Sequence, residues 1–219
     1  MDRIADAFAW PSRDPEWLTK LLIIALTLFI PFVGALNGLG WMLATLDRLR
    51  AGEERLAPAN LGYIGRGFRL FVVNLVYALA ITLLTGLIYV PAIAVASNQS
   101  HGSANPAMVS LAILLSVLAF SIATLGSLAL NFASPSIVLA TDGGGIAAGL
   151  NVSSVLRRAR SNLANTLIAG LMLIAAGFIG SLGLVACGIG VLFTTAYALA
   201  MQAWIIRSFE VGSPAVKAA

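Results

Sequence analysis

The distribution of charge constrains this chain more than any motif does. No Asp, Glu, Lys or Arg occurs in residues 21–46, 70–141 or 161–206. A bilayer core of about 30 Å is crossed by roughly 20 apolar residues in helical form, so the second and third gaps each hold two spans. Runs such as 21–30 and 167–179 do not alternate polar with apolar residues, as the strands of a membrane barrel must. The fold class expected is therefore all-α: a polytopic transmembrane helical bundle. Only 10% of the residues are charged, against about 25% in an average soluble domain, which excludes a chain whose main solvent is water.

Four crossings follow from the two long gaps. The first gap is harder to read. The apolar stretch 18–46 has Pro31 at its centre, followed by Gly34, Asn37, Gly38 and Gly40. It is longer than one straight crossing needs and about 20 Å short of two. Either it is one kinked helix or it is a short helical hairpin. Arginines cluster in 47–69 (Arg48, Arg50, Arg55, Arg66, Arg69), in 142–160 (Arg157, Arg158, Arg160) and near the end (Arg207, with Lys217), while 96–106 and 183–188 carry no Lys or Arg. The positive-inside rule puts the arginine-bearing segments in the cytoplasm and the neutral turns outside. A hairpin at 18–46 keeps Arg3, Arg13 and Lys20 on the same side as the others, which favours six membrane helices with both termini cytoplasmic.

The organisation expected is a polar leader at 1–17, one membrane domain at 18–209 and a tail at 210–219. The leader carries four acids and no cleavage site after a short apolar run, so it is expected to be retained. Leu61, Ile64 and Phe68 recur at helical spacing within 56–71, which suggests an interfacial amphipathic segment. Spans are expected at 70–96 and 107–132, with Ser134-Pro135 ending or kinking the second. A glycine break at 141–145 precedes an arginine-bearing helix at 146–160, and two spans close the chain at 162–182 and 189–206.

Several stretches, in this order and spacing, carry a likeness: Ser12-Arg13-Asp14-Pro15-Glu16-Trp17-Leu18-Thr19-Lys20, Ile30-Pro31-Phe32-Val33-Gly34, Arg48-Leu49-Arg50-Ala51-Gly52-Glu53-Glu54, Arg160-Ser161-Asn162-Leu163 and Cys187-Gly188-Ile189-Gly190. From about Trp10 to Phe209 the chain resembles the uncharacterised prokaryotic membrane proteins grouped as domain of unknown function 4013. The resemblance implies a multi-pass protein of a prokaryotic inner (plasma) membrane and transfers no catalytic residue. The chain departs from that pattern at Ala57-Pro58-Ala59-Asn60 and around His101.

Residues with chemistry are few. His101, the one histidine, has no acid between Glu54 and Asp142 to orient it as a base. Asp142-Gly143-Gly144-Gly145 lacks the Lys-Ser/Thr ending of a phosphate loop and reads as a hinge with an Asp helix cap. Cys187 stands alone, so neither a disulfide nor a metal site is expected. The net charge of +4 comes from arginines that flank apolar spans instead of forming a basic face interleaved with aromatics, which excludes nucleic acid as the partner. Arg66, Arg69, Arg157, Arg158 and Arg160 are candidate contacts to anionic lipid headgroups, at about 1 kcal/mol per charge. Pro31, Gly34, Asn37 and Gly38 form a helix break whose freed backbone groups could meet a solute. Gly34 with Gly38, and Ala176 with Gly180, have small-residue spacing for close helix packing.

The function expected is non-catalytic: an accessory, scaffold or assembly subunit of a membrane complex, without cofactor or metal, whose partners are lipids and either another membrane protein or a second copy. The alternative is a small-solute or lipid transporter that uses the break at Pro31 to Gly40. An intramembrane enzyme ranks third, because an acid-base pair is hard to assemble from these residues.

Overall fold

A computed structural model describes residues 4–99, 105–185 and 190–212. Among them the chain forms seven α-helices and no strand, preceded by two short 3-10 turns, Ile4–Phe8 and Trp10–Arg13. The helices are α1 (Trp17–Leu28), α2 (Val33–Arg50), α3 (Ile64–Gln99), α4 (Pro106–Leu150), α5 (Val152–Ser161), α6 (Leu163–Leu182) and α7 (Gly190–Gly212). Two compact units result: one from Met1–Val73 with Asn131–Ala219, the other from Asn74–Leu130. Three of the described helices, α3, α4 and α6, are long and apolar enough to cross a membrane, where sequence suggests six membrane helices.

The larger unit is organised around α7. Its Ala196, Ala198, Ala200, Met201, Ala203, Trp204, Ile205 and Ile206 are buried on all sides, the pattern of a helix that forms the core itself. Small residues let neighbours approach closely, and α6, α2 and α1 all pack on it. Gly180 of α6 leaves only 3.3 Å between a would-be Cβ and the Ala198 methyl, as the small-residue spacing with Ala176 anticipates. Polar side chains then tie α6 to α7 at both ends: the Thr194 hydroxyl donates to the Gly180 carbonyl at 2.6 Å, and the Asn165 amide donates to the Phe209 carbonyl at 3.0 Å.

The first apolar stretch is a helical hairpin. Its α1 has 12 residues, about 18 Å at 1.5 Å per residue, too short to cross a bilayer core. The turn runs through Pro31 and Phe32, and Phe32 holds a positive φ of 61°, a conformation that costs a side-chain-bearing residue about 1–3 kcal/mol. The tip is apolar and open, with Phe29 and Phe32 both more than 70% exposed. Behind the turn the two helices touch at Gly34, where a Cβ would overlap the Thr27 carbonyl of α1, while Gly38 sits under the Leu199 side chain of α7.

Three local expectations are corrected. Residues 51–63 are not helical, and α3 starts at Ile64; in place of an amphipathic helix from Leu56 there is a loop whose Leu56 and Ala57 are buried and whose glycines withhold helix propensity. The fourth helix does not end at Ser134-Pro135: Pro135 lies inside it, and the chain leaves helical geometry only at Gly145, φ 72°, within the glycine break expected at 141–145. Proline removes one backbone donor, whereas only glycine takes that positive φ without strain. The arginine-bearing helix begins at Val152 and not at residue 146, because Asn151 caps it by accepting from the Ser154 N–H.

The leader is folded. Trp10 is fully buried, stacks on Trp204 with ring centroids 5.4 Å apart and donates its indole N–H to the Ala200 carbonyl. In the smaller unit, Gly126 faces the Ile81 side chain, and Ala92, Ala112 and Ala119 are buried while Leu83, Leu87 and Phe120 are more than 70% exposed. Small residues there face inward and large ones outward, the arrangement of helices solvated by lipid.

Bulk at the close helix contacts should force the backbones apart. Gly34→Leu and Gly67→Leu, the latter where a Cβ would overlap the Leu36 carbonyl, are expected to lower thermal stability in detergent more than Leu83→Ala on the exposed surface. An equal or smaller loss for the two glycine variants would show that these contacts do not set the packing.

Candidate functional site

Arg50 and Asp47 lie one turn apart near the end of α2, Arg66 is in the first turn of α3 and Asp142 is in the last turns of α4. Their side chains close into a ring of alternating charge. Arg50 Nη1 donates to Asp47 Oδ1 at 3.0 Å and to Asp142 Oδ2 at 2.7 Å. Arg66 completes the circuit, donating from Nη2 to Asp142 Oδ1 at 2.7 Å and from Nη1 to Asp47 Oδ2. Glu210 of α7 joins from outside: it accepts from Arg50 Nε and Nη2, and from Arg207 Nη1 at 2.9 Å. Four helices of the larger unit are thereby bound at one point.

Burial sets the strength of the ring. The Asp142 side chain is only 9% exposed, so its charge depends on two guanidinium groups in place of water. Burial opposes ionisation of Asp47, but Arg66 and Arg50 outweigh it and hold the carboxyl below the usual carboxylate range. Burial likewise disfavours the charged Arg50, yet Glu210 and Asp142 raise its pKa above the ordinary arginine value. The ring opens onto a cavity of about 440 Å³ lined by Leu43, Asp47, Gly65, Arg66, Arg69, Thr141 and Asp142.

A second polar cluster anchors the leader. Asp14, 1% exposed, accepts from Lys20 Nζ at 2.8 Å, from the Glu16 N–H at 2.9 Å and from the Leu56 N–H at 2.9 Å. Burial works against its charge, and the Lys20 ammonium with the two N–H groups more than compensates, so its pKa is lowered. Glu16, Arg48 and Arg55 line the same cavity of about 530 Å³.

The residues singled out from sequence fall into three places. Pro31, Gly34, Asn37 and Gly38 belong to the first hairpin, and Asn37 is fully buried there. Its amide donates to the Asn60 carbonyl at 2.8 Å and accepts from the Tyr63 N–H at 3.3 Å. Arg66 is taken up by the ring. Arg69 is exposed beside it and has no acidic partner among the described residues. Arg157, Arg158 and Arg160 lie on α5, whose Val155 and Ala159 are buried; Arg157 and Arg160 are exposed and border an open cleft with Leu156. None of these three has an acidic partner among the described residues.

Asp142 is not a helix cap, as sequence suggests, but the less exposed of the ring's two acids. One signal marks it: it is the lone acid between Glu54 and Glu210, at the very end of a charge-free run, where an isolated charge needs a counterion. Among the described residues no group of three or more His, Cys, Asp and Glu side chains is placed to hold a metal. Arg3, His101, Cys187, Gly188, Ile189 and Lys217 lie outside the described residues.

A family model described as protein of unknown function (DUF4013) matches residues 23–189. No curated protein and no solved structure matches the chain.

Two predictions test the polar clusters. Asp142→Asn removes the charge that two guanidinium groups share and is expected to destabilise the protein in detergent by about 2–3 kcal/mol. Glu53→Gln, at an exposed pair with Arg48, should cost under about 1 kcal/mol, and equal losses would mean that the ring is no stronger than a surface pair. On the acid side, Asp14 and Asp47 have folded-state pKa values below the unfolded value of about 3.9. Their stabilisation is therefore complete above the unfolded value and is lost as pH falls through the folded one. Melting temperature should drop steeply below about pH 4, less so in Asp14→Asn, and an identical acid profile for that variant would contradict the assignment.

Proposed function

The chain belongs to the DUF4013 family, and on that premise we propose that it is a non-catalytic, multi-pass protein of a prokaryotic inner membrane, serving as an accessory, scaffold or assembly subunit of a larger membrane complex. The carrying observation is where its polar side chains go. Four polar side chains within or beside the apolar helices of the larger unit, Asn37, Asn162, Asn165 and Thr194, bond to backbone of neighbouring segments. These four are used in packing. Outside those contacts the helices present apolar side chains such as Leu83, Leu87, Phe120 and Phe178, surfaces suited to lipid or to another apolar helix.

In this reading α3, α4, α6 and α7 cross the bilayer, and the α1–α2 hairpin dips in from the cytoplasmic side with Phe29 and Phe32 at its tip. Both termini stay in the cytoplasm with the arginine-bearing segments. On α5, Arg157, Arg158 and Arg160 contact anionic headgroups while Val155 and Ala159 hold the helix to the bundle. The transporter alternative loses support at its own site: Asn37 is bonded at both ends of its amide, and Gly34 is closed by the α1 backbone.

Purification of the untagged protein from its native membrane in mild detergent tests the proposal. A membrane protein that stays with it at fixed stoichiometry through size exclusion is the expected result. A chain that runs alone or as a homodimer, and whose melting temperature rises with one small solute, would replace the subunit reading with the transporter.

A further inference from the structure

The ring of Asp47, Arg50, Asp142 and Arg66 contains two positive and two negative charges and closes on itself. The cavity beside it is therefore not a simple cation hole or anion hole. What remains available to a ligand is one charge of each sign. Arg69 is exposed on the cavity wall and has no acidic partner among the described residues. Asp47 is the accessible acid: its side chain is 47% exposed, and each carboxylate oxygen accepts one hydrogen bond in the ring, which leaves lone pairs free on both. Asp142 offers little, since its side chain is 9% exposed.

A bare anion entering here would gain Arg69 and meet the two carboxylates. A bare cation would gain Asp47 and meet two guanidinium groups. A molecule that carries both charges a few bonds apart satisfies both walls. We propose that this cavity binds a zwitterionic amino-phosphodiester, carried as the headgroup of an aminophospholipid, with the phosphodiester at Arg69 and the primary ammonium at Asp47. The volume of about 440 Å³ lies within the usual range for small-molecule sites, about 300–1,000 Å³. The location suits a lipid. Arg69 immediately precedes the charge-free run that starts at Leu70, and Asp142 immediately follows its end, so the cavity stands where the polar and apolar parts of α3 and α4 meet. The three arginines of α5, with no acidic partner among the described residues, should prefer an anionic headgroup, so the two places select different lipids. The inference rests on the membrane reading of α3 and α4 given above.

The test uses the full chain in mixed micelles, with thermal stability followed as the mole fraction of phosphatidylethanolamine, phosphatidylcholine or phosphatidylglycerol increases. Phosphatidylethanolamine is expected to stabilise at the lowest mole fraction, because the trimethylated ammonium of phosphatidylcholine cannot donate a hydrogen bond and phosphatidylglycerol has no ammonium. Arg69→Gln removes one charge-assisted partner and should raise the half-saturating mole fraction about tenfold; Arg69 makes no ion pair within the chain among the described residues, so the variant should fold. Arg55→Gln, an equal charge loss at a different cavity, should leave the response as it is. Equal stabilisation by phosphatidylglycerol, or an unchanged response in Arg69→Gln, would overturn the proposal. Protection by water-soluble glycerophosphoethanolamine without protection by the lipid would overturn the lipid as its carrier. Extraction of native membranes with alkaline carbonate separates the two levels: release of the protein defeats the membrane reading, whereas retention without headgroup preference defeats only this site.

Discussion

Charge placed at the end of an apolar helix must be neutralised locally or kept in water. Asp142 meets that constraint through Arg50 and Arg66, and the solution has structural reach because the two arginines come from different helices. Arg50 also holds Glu210, so the same guanidinium that neutralises α4 fastens α7. Removing water strengthens each of these attractions and also raises the cost of an incomplete set. A ring with two charges of each sign resolves the conflict: every charged group has at least two partners, and no net charge remains inside it.

Above this fastening, the larger unit is held by contact distance. Its central helix α7 has alanines where a larger core helix would have leucines, and the neighbours meet it through Gly38 and Gly180. Close backbone approach compensates for a weak hydrophobic drive, since lipid tails are as apolar as the side chains themselves. The same logic explains why side-chain amides and hydroxyls donate to backbone carbonyls across helix pairs. Away from water a carbonyl beside a glycine contact is a valuable acceptor, and Thr194 takes the one at Gly180.

The helical class and the approximate positions of the long helices were legible in the charge-free runs, because apolar length is a local property of the chain. The hairpin at Pro31 was legible for the same reason, and of the short segments that carry the family likeness those at 30–34, 48–54 and 160–163 fall inside the matched residues 23–189, while Ser12 to Lys20 falls outside them. What escaped was non-local. Asp47, Arg66, Asp142 and Glu210 are far apart in sequence and carry no spacing signature, so from its neighbours alone Arg66 reads as a lipid contact and Asp142 as a cap. The partners of the leader are non-local too: Asp14 is buried by partners from Lys20 and Leu56, and Trp10 by a helix nearly 200 positions later in the chain. The glycine break expected at 141–145 is where the chain leaves helical geometry, at Gly145, whereas Pro135 does not end its helix. A proline leaves one carbonyl without its donor, which surrounding segments can supply, whereas a positive φ redirects the chain.

The distinction between packing and binding turns on whether a polar group has capacity left after the fold is complete. Asn37 is fully buried and both ends of its amide are engaged by backbone, so the helix break that looks most like a solute site is a structural corner. Arg69 is the reverse. It adds nothing to the ring beside it, its charge has no acidic partner among the described residues, and it stands on the wall of an open cavity with a half-exposed carboxylate. A residue that the fold does not use, set next to a cluster the fold depends on, is where ligand recognition adds least cost to stability, because occupying it breaks no existing contact.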